Sequence, residues 1–134
     1  MDIVGIGTQV VECVRVRKLI DRHGETFLSQ VYTPREMRFC NGKAHSTEQF
    51  TAVWAAKEAV FRSLGTTWRR GICWTDVEVV CENGGGPTVV VSGATRELMT
   101  ARGVGCILLT MAHCRAFATA TSLALKDDGG QKQE

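Results

Sequence analysis

Residues 46–65 leave this chain little choice of architecture. On a helical wheel at ~100° per residue, Phe50, Val53, Trp54, Val60, Phe61 and Leu64 share one arc, while Ala52, Ala56 and Ser63 lie opposite. The first side fills a core, and the second is small enough to admit another backbone. A helix of this kind is mostly buried, yet Lys57 and Glu58 stand in its middle. Charged side chains are seldom placed on a buried helix unless they are paired, bind a metal or do chemistry.

The wheel separates the two charges. Glu58 falls just off the apolar arc, beside Thr51, Ala55 and Arg62. Partial desolvation there favours the neutral carboxyl unless a cation, or Arg62 four residues on, holds it ionised. Lys57 falls inside the arc, between Trp54 and Phe61. Two roles suit it: a buried stem with the ammonium led out to water, or a cation delivered to a phosphate or carboxylate at the core's edge.

The flanking residues punctuate the chain. Ser46 and Gln49 read as a capping box opening the long helix, and Gly65 closes it. Thr33-Pro34-Arg35-Glu36 is a second helix start with its own capping box, and Asn41-Gly42 ends that helix. Residues 2–11 read as a strand. Gly5 and Gly7 in it mark a bulge or a close backbone approach, and the missing third glycine argues against a dinucleotide-binding turn. Residues 12–30 read as two helical pieces broken near Gly24, with Val14, Leu19 and Phe27 as core candidates. Arg15, Arg17, Lys18 and Arg22 give the first piece a basic face, either solvated or meeting an acidic partner.

After residue 65 the pattern turns to strands. Trp74–Cys81 and Thr88–Val91 flank a glycine-rich turn ending at Pro87, read as a hairpin rather than a phosphate cradle. A helix over 94–102 precedes strands over Cys106–Met111 and Phe117–Leu125. These 134 residues make one domain over residues 1–125, and the polar stretch 126–134 reads as a disordered tail.

A net charge of +2 is compatible with phosphates or an acidic partner but singles out neither. No apolar run approaches the ~18 residues of a membrane span, and no basic signal-peptide region precedes the first strand, so the expected location is cytoplasmic. The six cysteines lack C-x-x-C spacing, which argues against zinc and for buried free thiols.

Several short pieces, in order, resemble the holo-acyl-carrier-protein synthases, a family of 4'-phosphopantetheinyl transferases. They are Gly5-Ile6-Gly7-Thr8 with Val11-Glu12 and Arg15; Phe27 with Tyr32-Thr33-Pro34-Arg35-Glu36; Phe50 and Trp54-Ala55-Ala56-Lys57-Glu58-Ala59; Leu64-Gly65-Thr66; Trp74-Thr75-Asp76-Val77-Glu78-Val79; Gly86-Pro87; and Thr110-Met111-Ala112-His113. The resemblance implies an α+β fold, a small and mostly antiparallel sheet packed against one long and several short helices. It also implies a homotrimer with active sites between subunits. The implied reaction moves the phosphopantetheine arm of coenzyme A to a serine of an apo acyl carrier protein, with Mg²⁺ (or Mn²⁺) as cofactor and neither nucleic acid nor membrane as partner.

Carried over by position, Glu58 and Gln9 match the metal site, and Glu58, Lys57 and His113 match the catalytic set. Lys57, Arg62, Gly65, Pro87, Thr110 and His113 match coenzyme contacts, while Arg15, Lys18, Arg22 and Phe27 match carrier-protein contacts. The chain departs from the pattern at Gln9, where an aspartate is usual, at Val53 for arginine, and at Arg62 for lysine. Gln9 leaves three readings open: a transferase whose metal site has one carboxylate fewer, a shifted metal site recruiting Glu12 or Asp2, or a degenerate relative that binds coenzyme A or a carrier protein without transfer.

Overall fold

The structure, a computed structural model, describes residues 2–66, 72–81 and 85–128. Among these the elements run β1 (Ile3–Glu12), α1 (Cys13–His23), α2 (Glu25–Val31), α3 (Pro34–Asn41), α4 (Ser46–Ser63), β2 (Val77–Val80), β3 (Thr88–Val91), α5 (Gly93–Ala101), β4 (Val104–His113) and β5 (Phe117–Lys126). One antiparallel sheet has the order β1-β5-β4, and β2 pairs with β3 in a second, also antiparallel. The fold is α+β, with α4 lying across one face of the three-stranded sheet.

Glycine sets how close α4 comes to that sheet. A Cβ at Gly7 would sit 2.0 Å from the Ala59 carbonyl oxygen, and one at Gly5 would sit 2.0 Å from that of Ser63. The smooth side of the helix therefore meets backbone, as the wheel implied, with Ala59 joining Ala52, Ala56 and Ser63. Ser63 Oγ lies 2.9 Å from Ser122 Oγ on β5, so the small polar group buried there has a partner. The aromatic side packs edge-on against the shorter elements: Trp54 meets Phe27 at 5.4 Å and Phe61 meets Trp74 at 5.6 Å between ring centroids.

Several expectations change. Val14 is not a core residue but 55% exposed. The chain passes from strand to helix with no loop between, so Cys13 and Val16 point inward and Val14 points out. The capping box at Ser46 does not form; His45 is the N-cap, without a side-chain cap bond, and Ser46 is already helical. The box at Thr33 and Glu36 does form, through bonds of 3.2 and 2.8 Å. Trp74–Asp76 is a 3₁₀ turn, which confines the strand to residues 77–80. Of the thiols, Cys13 and Cys40 are buried, but Cys73, Cys106 and Cys114 are exposed. Lys126 belongs to β5 and its N–H bonds to Asp2 O at 2.8 Å, so the strand continues into the expected tail. The rest of that tail from residue 129, and turn residues 82–84, lie outside the described residues.

The outer face of the sheet, away from α4, mixes apolar residues with threonines. Ile6, Leu123 and Leu108 form one rung across β1, β5 and β4, followed by a rung of Thr8, Thr121 and Thr110. Ile6 is 60% exposed and Leu108 49%.

Candidate functional site

Gln9 reaches the site by strand parity. Gly5, Gly7, Gln9 and Val11 share the face of β1 turned to α4. Because the glycines bring the two backbones together, Gln9 arrives at the edge of the helix where Glu58 sits half-buried. Gln9 Nε2 donates to Glu58 Oε1 at 3.1 Å. The other end of the amide is also used, since Val10 N–H donates to Gln9 Oε1 at 3.1 Å. This orientation suits an ionised Glu58, because a carboxylate only accepts and the NH₂ donates.

Burial pushes the Glu58 carboxyl above its usual range, while the Gln9 hydrogen bond and the charges of Arg15 and Arg62 pull the other way. Arg15 on α1 is itself placed by the core, its guanidinium 5.1 Å from the centre of the Trp54 ring. The structure thus gathers one carboxylate, one amide and two arginines where β1, α1 and α4 meet. That set can hold a phosphate-bearing ligand by its cations and accept a proton, or share a cation, at Glu58.

Lys57 is a correction. Its side chain is 0% exposed, so it neither snorkels nor faces a ligand. The ammonium lies 2.9 Å from Glu36 Oε1 and donates to the carbonyls of Trp74 (3.1 Å) and Val77. Burial lowers its pKa, against the opposing charge and hydrogen bond of Glu36. Three donors meet three acceptors, which leaves nothing for a substrate. Glu36 completes the tie: Oε2 accepts from Val79 N–H at 2.7 Å, so one carboxylate joins α3, α4 and β2. The sequence marked Glu36 only as half of a capping box, and nothing local pairs residue 36 with 57.

Phe27 is a second correction, because it is buried against Tyr32 and Trp54 and offers no surface to a partner. Arg15, Lys18 and Arg22 are exposed as expected. With Glu12, Val14 and Leu19 they line a groove of about 350 Å³. Val14, with Leu19, thus becomes apolar lining of a mainly basic groove.

The remaining candidates do not converge within one chain. His113 lies on the helix side of β4, where Nδ1 is 3.1 Å from Glu48 Oε1 and Nε2 is 3.1 Å from Gln49 Nε2. Glu48 lies ~15 Å from Glu58 along α4, at ~1.5 Å per residue. Sequence reasoning placed Gln49 only in a capping box and passed over Glu48, since contacts between a helix start and a distant strand leave no local pattern. Thr110, of opposite parity to His113, lies on the outer face with Thr8 and Thr121. Gly65 follows the far end of α4 with φ 81°, and a Cβ there would meet Arg102 Nη1 at 1.9 Å. Pro87 precedes β3 on the other sheet.

Known proteins resemble this chain in sequence and in fold. The chain is 40% identical over 125 residues to the holo-[acyl-carrier-protein] synthase of Koribacter versatilis, covering 93% of this chain and 99% of the relative. Its fold matches the crystal structure of holo-[acyl-carrier-protein] synthase from Neisseria meningitidis with a TM-score of 0.84, at 24% identity over 93% of this chain and all of that one. The Bacillus anthracis enzyme, solved in complex with CoA (3',5'-ADP), matches with a TM-score of 0.75 and 26% identity, covering 93% and 98% of the two chains. The family model of the 4'-phosphopantetheinyl transferase superfamily matches residues 5–117. With most of its length matched in sequence and fold, the chain belongs to the 4'-phosphopantetheinyl transferase superfamily.

Proposed function

We propose that this protein is a holo-acyl-carrier-protein synthase that transfers the 4'-phosphopantetheine arm of coenzyme A to a serine of an apo acyl carrier protein. Within the family, the observation that carries the reading is Glu58, a half-buried carboxylate between Gln9, Arg15 and Arg62. The serine oxygen attacks the phosphorus that bears the pantetheine arm. The bond from that phosphorus to the bridging diphosphate oxygen breaks, and adenosine 3',5'-bisphosphate leaves with the bond's electron pair. Glu58 takes the serine proton, a task suited to a carboxyl whose pKa burial raises. Arg62 and Arg15 steady the phosphates by charge.

The donor set also suits a divalent metal. Mg²⁺ binds through one or two protein oxygens together with substrate phosphates, and Glu58 supplies one. The Gln9 carbonyl can supply a second after its amide turns over. Bound there, Mg²⁺ or Mn²⁺ would offset negative charge on the diphosphate. Lys57 is assigned a positioning role, holding the helix that carries Glu58.

The separation of His113, Thr110, Gly65 and Pro87 supports coenzyme sites shared between copies of the chain. The apolar rung of Ile6, Leu123 and Leu108 on the outer sheet face, exposed at Ile6 and Leu108, supports a homotrimer that would cover it. The groove beside α1, lined by Arg15, Lys18 and Arg22 with Val14 and Leu19, suits an acidic carrier protein. No helix among the described residues is long and apolar enough to cross a membrane, and the reading places the enzyme in the cytoplasm.

Incubation with coenzyme A, a divalent cation and apo carrier protein tests the assignment, with mass spectrometry to detect the added arm. Glu58→Gln should lower the transfer rate at least ~10²-fold while the protein stays folded. Undiminished transfer by that variant would remove Glu58 from the mechanism.

A further inference from the structure

We infer that in this chain the divalent cation draws most of its affinity from the bound coenzyme, because in the free protein Glu58 supplies a single negative charge and the Gln9 oxygen is engaged elsewhere. The inference rests on the reading of the site given above. Three observations carry it. Gln9 points its NH₂, a donor with no affinity for a cation, at Glu58 Oε1. Its oxygen, the only end that could ligate, accepts from Val10 N–H. Among the described residues, no three His, Cys, Asp or Glu side chains gather into a group that could hold a metal.

A cation approaching the free protein would therefore meet a single negative charge and no ligating amide oxygen, close to the positive charges of Arg15 and Arg62. Affinity for hard cations follows the number of charged oxygen ligands. The coenzyme's diphosphate changes that balance by adding negative oxygens and drawing the arginines to itself. Turning the Gln9 amide then exchanges two modest hydrogen bonds for one oxygen ligand, with the metal already attracted. Linkage makes the effect mutual: whatever factor the coenzyme adds to cation affinity, the cation adds to coenzyme affinity.

The test measures Mn²⁺ binding to the full chain by electron paramagnetic resonance, with and without saturating coenzyme A. Mn²⁺ and coenzyme A without protein serve as the control, and carrier protein is omitted so that nothing turns over. Wild type should bind Mn²⁺ at least ~10-fold more tightly with coenzyme A present, and calorimetry should find the same factor for coenzyme A when Mn²⁺ is added. Gln9→Asp, which adds a charge and removes the donor, should bind Mn²⁺ alone at least ~10-fold more tightly than wild type. Equal Mn²⁺ affinity of wild type with and without coenzyme A overturns the inference and leaves the metal site standing. Coenzyme A binding with no Mn²⁺ bound in either state overturns the metal reading and this inference with it.

Discussion

Replacing Lys57 with methionine separates a structural lysine from one that works on substrate. The change keeps a flexible apolar stem of similar length and removes only the ammonium. In the folded protein that ammonium contacts Glu36 Oε1 at 2.9 Å and two main-chain carbonyls, with both charged side chains 0% exposed. Removing it leaves a buried carboxylate without its cation and two carbonyls without that donor.

Breaking a buried pair from one side costs about 3–5 kcal/mol. The N–H groups of Thr33 and Val79 still bond Glu36, which favours the lower half of that range. With about 2.1 cal/mol/K of unfolding entropy per residue, a loss of about 3–4 kcal/mol in a chain of this length corresponds to roughly 11–14 °C in Tm. Urea unfolding at fixed protein concentration, with far-UV circular dichroism as the signal, measures the loss as a lower midpoint at unchanged slope. A second variant carrying Glu36→Leu as well should lose less than the two single changes summed, by about 1–3 kcal/mol. If Lys57→Met costs under about 1 kcal/mol while transfer collapses, the ammonium is not committed to Glu36 and serves the substrate instead.

Three further outcomes follow from particular contacts. Gly7→Ala would put a methyl 2.0 Å from the Ala59 carbonyl and 2.7 Å from Ser63 N, so β1 must move off α4; the expected cost is about 1–3 kcal/mol or more in a urea titration, and wild-type stability would show that the strand does not lie that close. Leu108→Glu, in the outer rung with Ile6 and Leu123, should shift the protein to monomers in light scattering while leaving the circular dichroism spectrum unchanged; an unaltered mass would place any subunit contact elsewhere. In a timed thiol titration at pH 8, Cys73, Cys106 and Cys114 should react quickly. Cys40, pushed up to about 12 chiefly by burial and then by Glu36, should wait for unfolding. Because folding raises that pKa, the stability it contributes is full below the ordinary thiol value of 9.0 and is lost as pH rises towards about 12; stability rising over that span would contradict the assignment.

Periodicity and punctuation are local properties, and what depends on them was legible. The long helix, the Thr33–Glu36 cap, the strand with paired glycines and the smooth helix side facing a backbone all follow from residues within a few positions of one another. So did the position of Glu58 at the edge of the apolar arc, because a wheel places a side chain relative to its own helix. Val14 was misread because the strand-to-helix junction fixes the phase of α1, and no residue in α1 states where that junction falls.

What lay across the chain was decided only by folding. Lys57 reads on its own as a cation between aromatics; Glu36, 21 positions earlier, turns it into a buried tie because α3 packs beside α4 and brings a carboxylate within 2.9 Å. Gln9 reads as a weakened metal ligand; β1 pressed on α4 by two glycines makes it the hydrogen-bond partner of Glu58. Sequence determined which residue types are available and which face of their own element they occupy. Tertiary structure decided their partners, because in a buried site the low dielectric makes an unpaired charge so costly that the nearest opposite charge or dipole, however distant in sequence, fixes what each group can do.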